Sequence, residues 1–223
     1  MTATGQSRAG GLMISRLALG LLVVAEVLLL AMVVVGGARY PGYDHARQFI
    51  SELGATGAPD GWAVSWLAFL PIGVLVMAAC LLIAWRMRSS ALALLGFLLL
   101  AFNAYAYVNS VWFRCEFECA GTSVTQGMHN LVGLLGYLAG CVGLLLAGLS
   151  AKGHRLLKVL GLVCAVLAFV GLMGLGATAE TGGPAGAFQR LTEAVTALFM
   201  LAYAWVVATG RNPLGDDPVA GRS

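Results

Sequence analysis

Charge is scarce in this sequence: 10% of its 223 residues are Asp, Glu, Lys or Arg and 60% are hydrophobic, where an average soluble domain carries about 25% charged residues. Such a composition excludes a chain solvated chiefly by water. The formal net charge of +3 calls for no nucleic-acid partner. The long apolar runs also lack the apolar/polar alternation of barrel strands. In hydrocarbon every backbone amide must be satisfied within the protein, so helices are the spanning structure that remains. Missing too are Cys-x-x-Cys, His-x-x-x-His and His-Glu-x-x-His pairs, a phosphate-cradling glycine loop, a haem-binding histidine pair and a serine nucleophile elbow. No cofactor is evident from motifs.

What is present is six apolar runs, at 16–37, 62–85, 91–112, 129–150, 156–177 and 188–209, each close to the ~20 residues that cross ~30 Å of hydrocarbon. The expected fold is all-α, a polytopic bundle of six transmembrane helices in one domain, between a flexible N-terminus (1–13) and a disordered tail (211–223). The first run follows Arg8 and Arg16 and ends at Gly36-Gly37-Ala38. It is longer than a cleavable signal core of ~7–15 residues, and Glu26 interrupts it, so it is read as a retained span.

Lys and Arg set the expected orientation. Nine of them, Arg8, Arg16, Arg86, Arg88, Lys152, Arg155, Lys158, Arg211 and Arg222, flank one end of the spans, and only Arg39, Arg47, Arg114 and Arg190 flank the other. Both termini are therefore expected in the cytoplasm, and the chain in the plasma membrane. The first, third and fifth loops then face outward. Most of the acidic residues lie on that side: Asp44, Glu52, Asp60, Glu116, Glu118 and Glu180 in the loops and Glu193 early in the sixth span.

In the first outer loop Ala46, Phe49, Ile50 and Leu53 recur at helical spacing, with Asp44 as N-cap and Gly54 as stop. This pattern predicts a short interfacial helix. Thr-Gly-x-Pro-x-Gly occurs at 56–61 and again at 181–186, read as turn chemistry ahead of a span. Gly133, Gly136, Gly140 and Gly143 share one face of the fourth span. That face predicts close packing on the fifth span, at Gly161, Ala165 and Ala168, or a homodimer seam.

Several residues could carry chemistry. Glu26 lies near the middle of the first span, and an ionisable group there demands a partner, expected to be Asn103 of the third span. His129, His45, Asp44, Ser51 and Glu52 share a depth at the outer surface with Arg114, Arg190 and Glu193. Histidines with carboxylates suit acid–base chemistry or a divalent metal at His129, His45, Glu52 and Asp44, and the arginines suit an anionic headgroup. Cys115 and Cys119, in a loop facing an oxidising compartment, are expected to form a disulfide. Cys80, Cys141 and Cys164 lie within spans as small apolar fillers.

Tyr40-Pro41 and Tyr43, leading into Ile50-Ser51-Glu52-Leu53-Gly54-Ala55 and then Gly57-Ala58-Pro59 before a span, resemble the first outer loop of a prokaryotic membrane family known as domain of unknown function 998. A short third loop with acidic or cysteine residues, a glycine shortly before His129 and the run Phe188-Gln189-Arg190 are similar as well. The resemblance covers about residues 15–210 and implies several helical spans. It brings no activity with it, while drawing attention to Ser51, Glu52, His129 and Arg190.

Three functions fit these residues. The first is an outward polar pocket that binds a lipid headgroup or another amphiphile. The second is a hydrolase or transferase on lipid-linked substrate, with His129 as base, Glu52 or Asp44 beside it and Arg190 on a phosphate. The third is a small proton-linked transporter that uses Glu26.

Overall fold

The computed structural model describes residues 3–179 and 181–215. Glu180, Asp216, Asp217, Pro218 and Arg222, together with the tail expected to be disordered past residue 215, lie outside them. Among the described residues there is no strand, and six helices are long and apolar enough to cross a membrane. They are α1 (Ala3–Arg39), α2 (Gly61–Arg86), α3 (Ala91–Trp112), α4 (Val124–Ser150), α5 (Arg155–Thr178) and α6 (Ala185–Ala208). Each matches an expected span, though α1 and α4 start earlier, so that His129 stands inside α4 rather than at its head.

Short loops force consecutive helices to run antiparallel. Each packs on its sequence neighbours, and α1 closes the ring against α6. One end gathers the first, third and fifth loops: Thr56 N donates to Cys115 O at 2.8 Å, and Gly186 N to Arg47 O at 3.1 Å. The other end gathers the terminal residues and the even loops, as in the bond from Gly153 N to Pro213 O at 2.9 Å. In α1 the buried stripe is Ala18, Leu22, Ala25, Leu29 and Met32, whereas Val23, Val27, Leu30 and Val34 are exposed. A continuous exposed apolar belt of this kind is a liability in water and the expected surface in lipid.

Glycines set the helix spacing, with partners other than those expected. The face Gly136, Gly140 and Gly143 packs on α3, not on α5. A Cβ on Gly140 would lie 3.1 Å from Asn103 Nδ2, and one on Gly143 2.8 Å from Gly96 O. The α4–α5 contact is made lower down, where a Cβ on Gly148 would lie 2.9 Å from Gly161 Cα. Since α3 covers three of the four glycines, little of that face remains for a second copy. Gly133, the fourth, meets nothing within 4 Å, because it borders a cavity.

In the half of the bundle near the termini the ring is filled. Phe97 of α3 and Tyr203 of α6 meet edge to face at 4.7 Å, Phe199 adds a second edge at 5.8 Å, and all three are fully buried. In the other half the same face of α6 carries Gln189, Glu193 and Thr196 at i, i+4 and i+7. These shorter side chains leave space.

Candidate functional site

That space is a half-open cavity of about 610 Å³ bordered by α3, α4, α5 and α6 and by Phe69 of α2, a size typical of small-molecule pockets. The first and third loops roof it through Phe49–Ser51 and Glu118–Gly121. Toward the lipid it reaches Leu134 of α4 and Leu175 of α5, and Leu134 is itself 49% exposed.

The roof is built locally. Asp44 does not begin an α-helix. Its Oδ1 accepts from Ala46 N at 2.8 Å in a side-chain turn, and a separate 3₁₀ helix runs over Ile50–Gly54. A continuous helix from Asp44 would consume the backbone carbonyls of Ala46 and Arg47. Those carbonyls instead accept from Ala187 N at 2.8 Å and Gly186 N at 3.1 Å, satisfying the orphan amides at the start of α6. Ile50 and Leu53 point inward as expected, whereas Ala46 stays exposed. Gly54 is required because a Cβ there would strike the Phe69 ring, and Ser65 Oγ donates to Gly54 O at 3.0 Å. Ser65–Phe69, the partner surface, is a π-helical turn inside α2, a local widening of a kind common beside functional sites.

Glu52 is buried, 5% exposed, with both oxygens occupied: Phe49 N donates to Oε1 and Gln48 Nε2 to Oε2, each at 2.8 Å. It caps the 3₁₀ helix and does not line the cavity. Arg190 likewise acts on the roof. Its Nη1 donates to Gln48 O at 2.9 Å and Gly186 O at 3.0 Å, and its Nη2 to Tyr43 OH at 2.8 Å and His45 Nδ1 at 3.2 Å. Tyr43 OH in turn donates to Phe49 O at 2.7 Å. Burial pushes the Tyr43 phenol up, opposed by the Arg190 guanidinium. The two guanidinium tips are thus fully used within the protein, while Nε is buried without an acceptor. Arg114 borders a separate surface groove near Asp60.

His129 does enter the cavity. Its Nδ1 lies 2.9 Å from Phe113 O. A carbonyl only accepts, so Nδ1 carries the proton and Nε2 is the acceptor of the neutral ring. Its ring and the sulfurs of Cys115 and Cys119 offer ligand atoms within 4.8 Å of one another, the only such group of three or more His, Cys, Asp or Glu among the described residues. Cys115 and Cys119 are joined as a disulfide, which leaves no thiolate to bind a metal. His45 and Asp44 are exposed and Glu52 is engaged elsewhere. The four-residue grouping around His129 is therefore not assembled. Ser51 lines the cavity, with Oγ 3.6 Å from Cys119 Sγ.

The acidic group within the cavity is Glu193. Tyr137 OH donates to its Oε1 at 2.8 Å, Gln189 Nε2 donates to Tyr137 OH at 3.0 Å, and Ile50 N donates to Gln189 Oε1 at 2.5 Å. One chain of bonds thus ties the roof to the carboxylate, and Tyr107 flanks the same carboxylate. Gln189, Tyr137 and Asn130 were not singled out from sequence. The polar stripe Gln189, Glu193, Thr196 inside an apolar helix was the signal available, since polar groups in a span face the bundle interior. Asn103 borders the cavity too, but its Nδ2 donates to Gly136 O at 3.1 Å rather than to Glu26. The acidic neighbour of half-buried Glu26 is Glu193, across the α1–α6 contact.

No curated protein and no solved structure matches the chain. A family model described as "Protein of unknown function (DUF998)" matches residues 23–206. That match runs from within α1 to near the end of α6 and takes in the roof over the cavity and the Glu193 network, and on it the chain belongs to the DUF998 family of membrane proteins.

Proposed function

We propose that this protein binds an amphiphile, with the polar head in the roofed cavity and the apolar tail passing between α4 and α5 into the bilayer. The observation that carries this reading is the cavity's composition along its length. Hydrogen-bonding groups line it from α3, α4, α6 and the roof, and Leu134, half-exposed, and Leu175 border it on the α4–α5 side. A ligand with one wet and one greasy end matches that gradient. With the basic ends of the helices in the cytoplasm, the cavity opens to the outer leaflet of the plasma membrane.

The alternative of a hydrolase or transferase on lipid-linked substrate draws less support. A general base needs a substrate and an orienting partner within hydrogen-bond reach, and the carboxylates expected beside His129 are committed to the roof.

Native mass spectrometry of protein released from lipid nanodiscs tests the proposal. Wild type is expected to retain a bound amphiphile, and Gly133→Leu, which places a side chain in the cavity without touching backbone, is expected to lose it. Equal retention by both would remove the cavity from the account.

A further inference from the structure

The chemical class of the headgroup follows from which charges border the cavity. Its lining holds two carboxylates, Glu193 within and Glu118 at the rim, and neither Lys nor Arg. The ion pairs among the described residues are Arg39–Asp60 and Arg47–Asp44, both outside the cavity. Glu193 therefore has no protein cation within 4.0 Å. The two arginines that sequence offered for an anion are elsewhere: Arg190 is spent on the roof and Arg114 borders the other groove.

The remaining polar atoms include donors, the Tyr107 hydroxyl and the Asn130 amide, and several acceptors that no protein group meets. Glu193 accepts from Tyr137 OH on Oε1 and has the Tyr107 hydroxyl beside it as a second donor, and the four lone-pair sites of a carboxylate leave room for a further N–H. His129 directs its proton at Phe113 O, so Nε2 has a lone pair to offer. Asn103 spends one of its two amide hydrogens on Gly136 O, and its carbonyl oxygen meets no protein donor among the described residues. A carboxylate in a membrane interior is costly unless a cation meets it, and an ammonium also brings N–H donors to the acceptors that no protein group meets. Rings of Tyr107, Tyr137 and Phe69 also border the space, and aromatic faces attract cations.

We infer that the headgroup is a primary ammonium, bound as the counter-ion of Glu193 with its remaining hydrogens shared among the cavity's acceptors. This rests on the amphiphile reading above. A phosphate or carboxylate head would place like charges together in a low dielectric, and a neutral alcohol would leave Glu193 unpaired. The ammonium could belong to a free alkylamine or to an aminophospholipid.

The test uses full-length protein in phosphatidylcholine nanodiscs, with octylammonium, octanol and octanoate as probes of equal chain length. The readout is the thermal unfolding midpoint, which rises with any ligand that binds the folded state. Octylammonium is expected to raise the midpoint in a saturable way, octanoate to leave it unchanged, and octanol to act only at roughly tenfold higher concentration or more. Glu193→Gln keeps the shape and is expected to remove the octylammonium advantage while leaving the octanol response. Replacing part of the phosphatidylcholine by phosphatidylethanolamine distinguishes the sources. If the aminophospholipid is the ligand, the midpoint rises without probe and the octylammonium effect shrinks; if a free amine is, the octylammonium effect persists. Octanoate or octanol matching octylammonium on wild type would overturn the ammonium assignment and leave the amphiphile site standing. A response to none of the probes or lipids would overturn both. Because the comparison among probes is made on wild type, a variant that fails to fold does not rescue the inference.

Discussion

Arg190 links the roof to α6, so its removal should open the cavity without unfolding the bundle. The guanidinium donates to three acceptors on the first loop: Gln48 O at 2.9 Å, Tyr43 OH at 2.8 Å and His45 Nδ1 at 3.2 Å. A hydrogen bond to a charged group contributes about 1.5–3 kcal/mol. At this partly hydrated rim the loop acceptors recover water when the roof lifts, so about 1 kcal/mol each, or about 3 kcal/mol in all, is a fair figure. That corresponds to roughly a hundredfold rise in the lifted population. Trypsin reads it at Arg47, whose side chain is 71% exposed but whose backbone is held by Asp44 O and Gly186 N. When reclosing outpaces cleavage, the cleavage rate follows the open population. Arg190→Ala in nanodiscs is expected to be cut at Arg47 about a hundredfold faster than wild type, with the site assigned by fragment mass and by its loss in Arg47→Gln. Arg190→Lys should fall between, because an ammonium cannot span the same fork. Cleavage of Arg190→Ala at the wild-type rate would refute the assignment of Arg190 to the roof.

Other consequences are simpler to measure. Gly148→Ala should lower the unfolding midpoint in detergent by an amount equivalent to about 1–3 kcal/mol, because the new Cβ meets the α5 backbone, whereas Gly20→Ala, with nothing within 4 Å, should not lower it. The Arg39 guanidinium, 2.6 Å from Asp60, holds the Asp60 carboxyl below its ordinary range near 4. A depressed folded value means that the pair's small contribution is complete above about pH 4 and lost as pH falls through the folded value. Midpoints of wild type and Asp60→Asn measured from pH 7 down to pH 3 should therefore converge only at the acid end. Of the five cysteines, the three free ones, Cys80, Cys141 and Cys164, should alkylate in denaturant without reductant. Cys115 and Cys119 should join them only after reduction, as read by intact mass.

Sequence by itself determined the solvent and the number of crossings. Apolar runs of spanning length in a chain this poor in charge have one low-energy solution, because an unsatisfied amide in hydrocarbon costs several kcal/mol. The turns ahead of α2 and α6 were equally local: both copies of the repeated motif place their first glycine at positive φ, Gly57 at 90° and Gly182 at 70°, a backbone state that glycine adopts without steric cost. The Cys115–Cys119 bridge, four residues apart, was expected from the oxidising compartment that the outer loops face.

Only the tertiary structure decided which polar groups meet. Depth in the membrane is one coordinate, fixed by position along the chain, whereas convergence also needs the rotation of each helix and the order of the ring. Ser51, His129, Asn103 and Glu193 reach the cavity, while Glu52, Asp44, His45, Arg190 and Arg114 at similar depth do not. Glu52 and Arg190 are instead consumed in satisfying backbone groups of the roof and of α6, a demand that appears only once two remote segments are in contact. Helix rotation likewise turned the glycine face of α4 toward α3 and left Gly133 facing open space. Composition named the solvent; the azimuth of each helix, set by packing between distant segments, made the site.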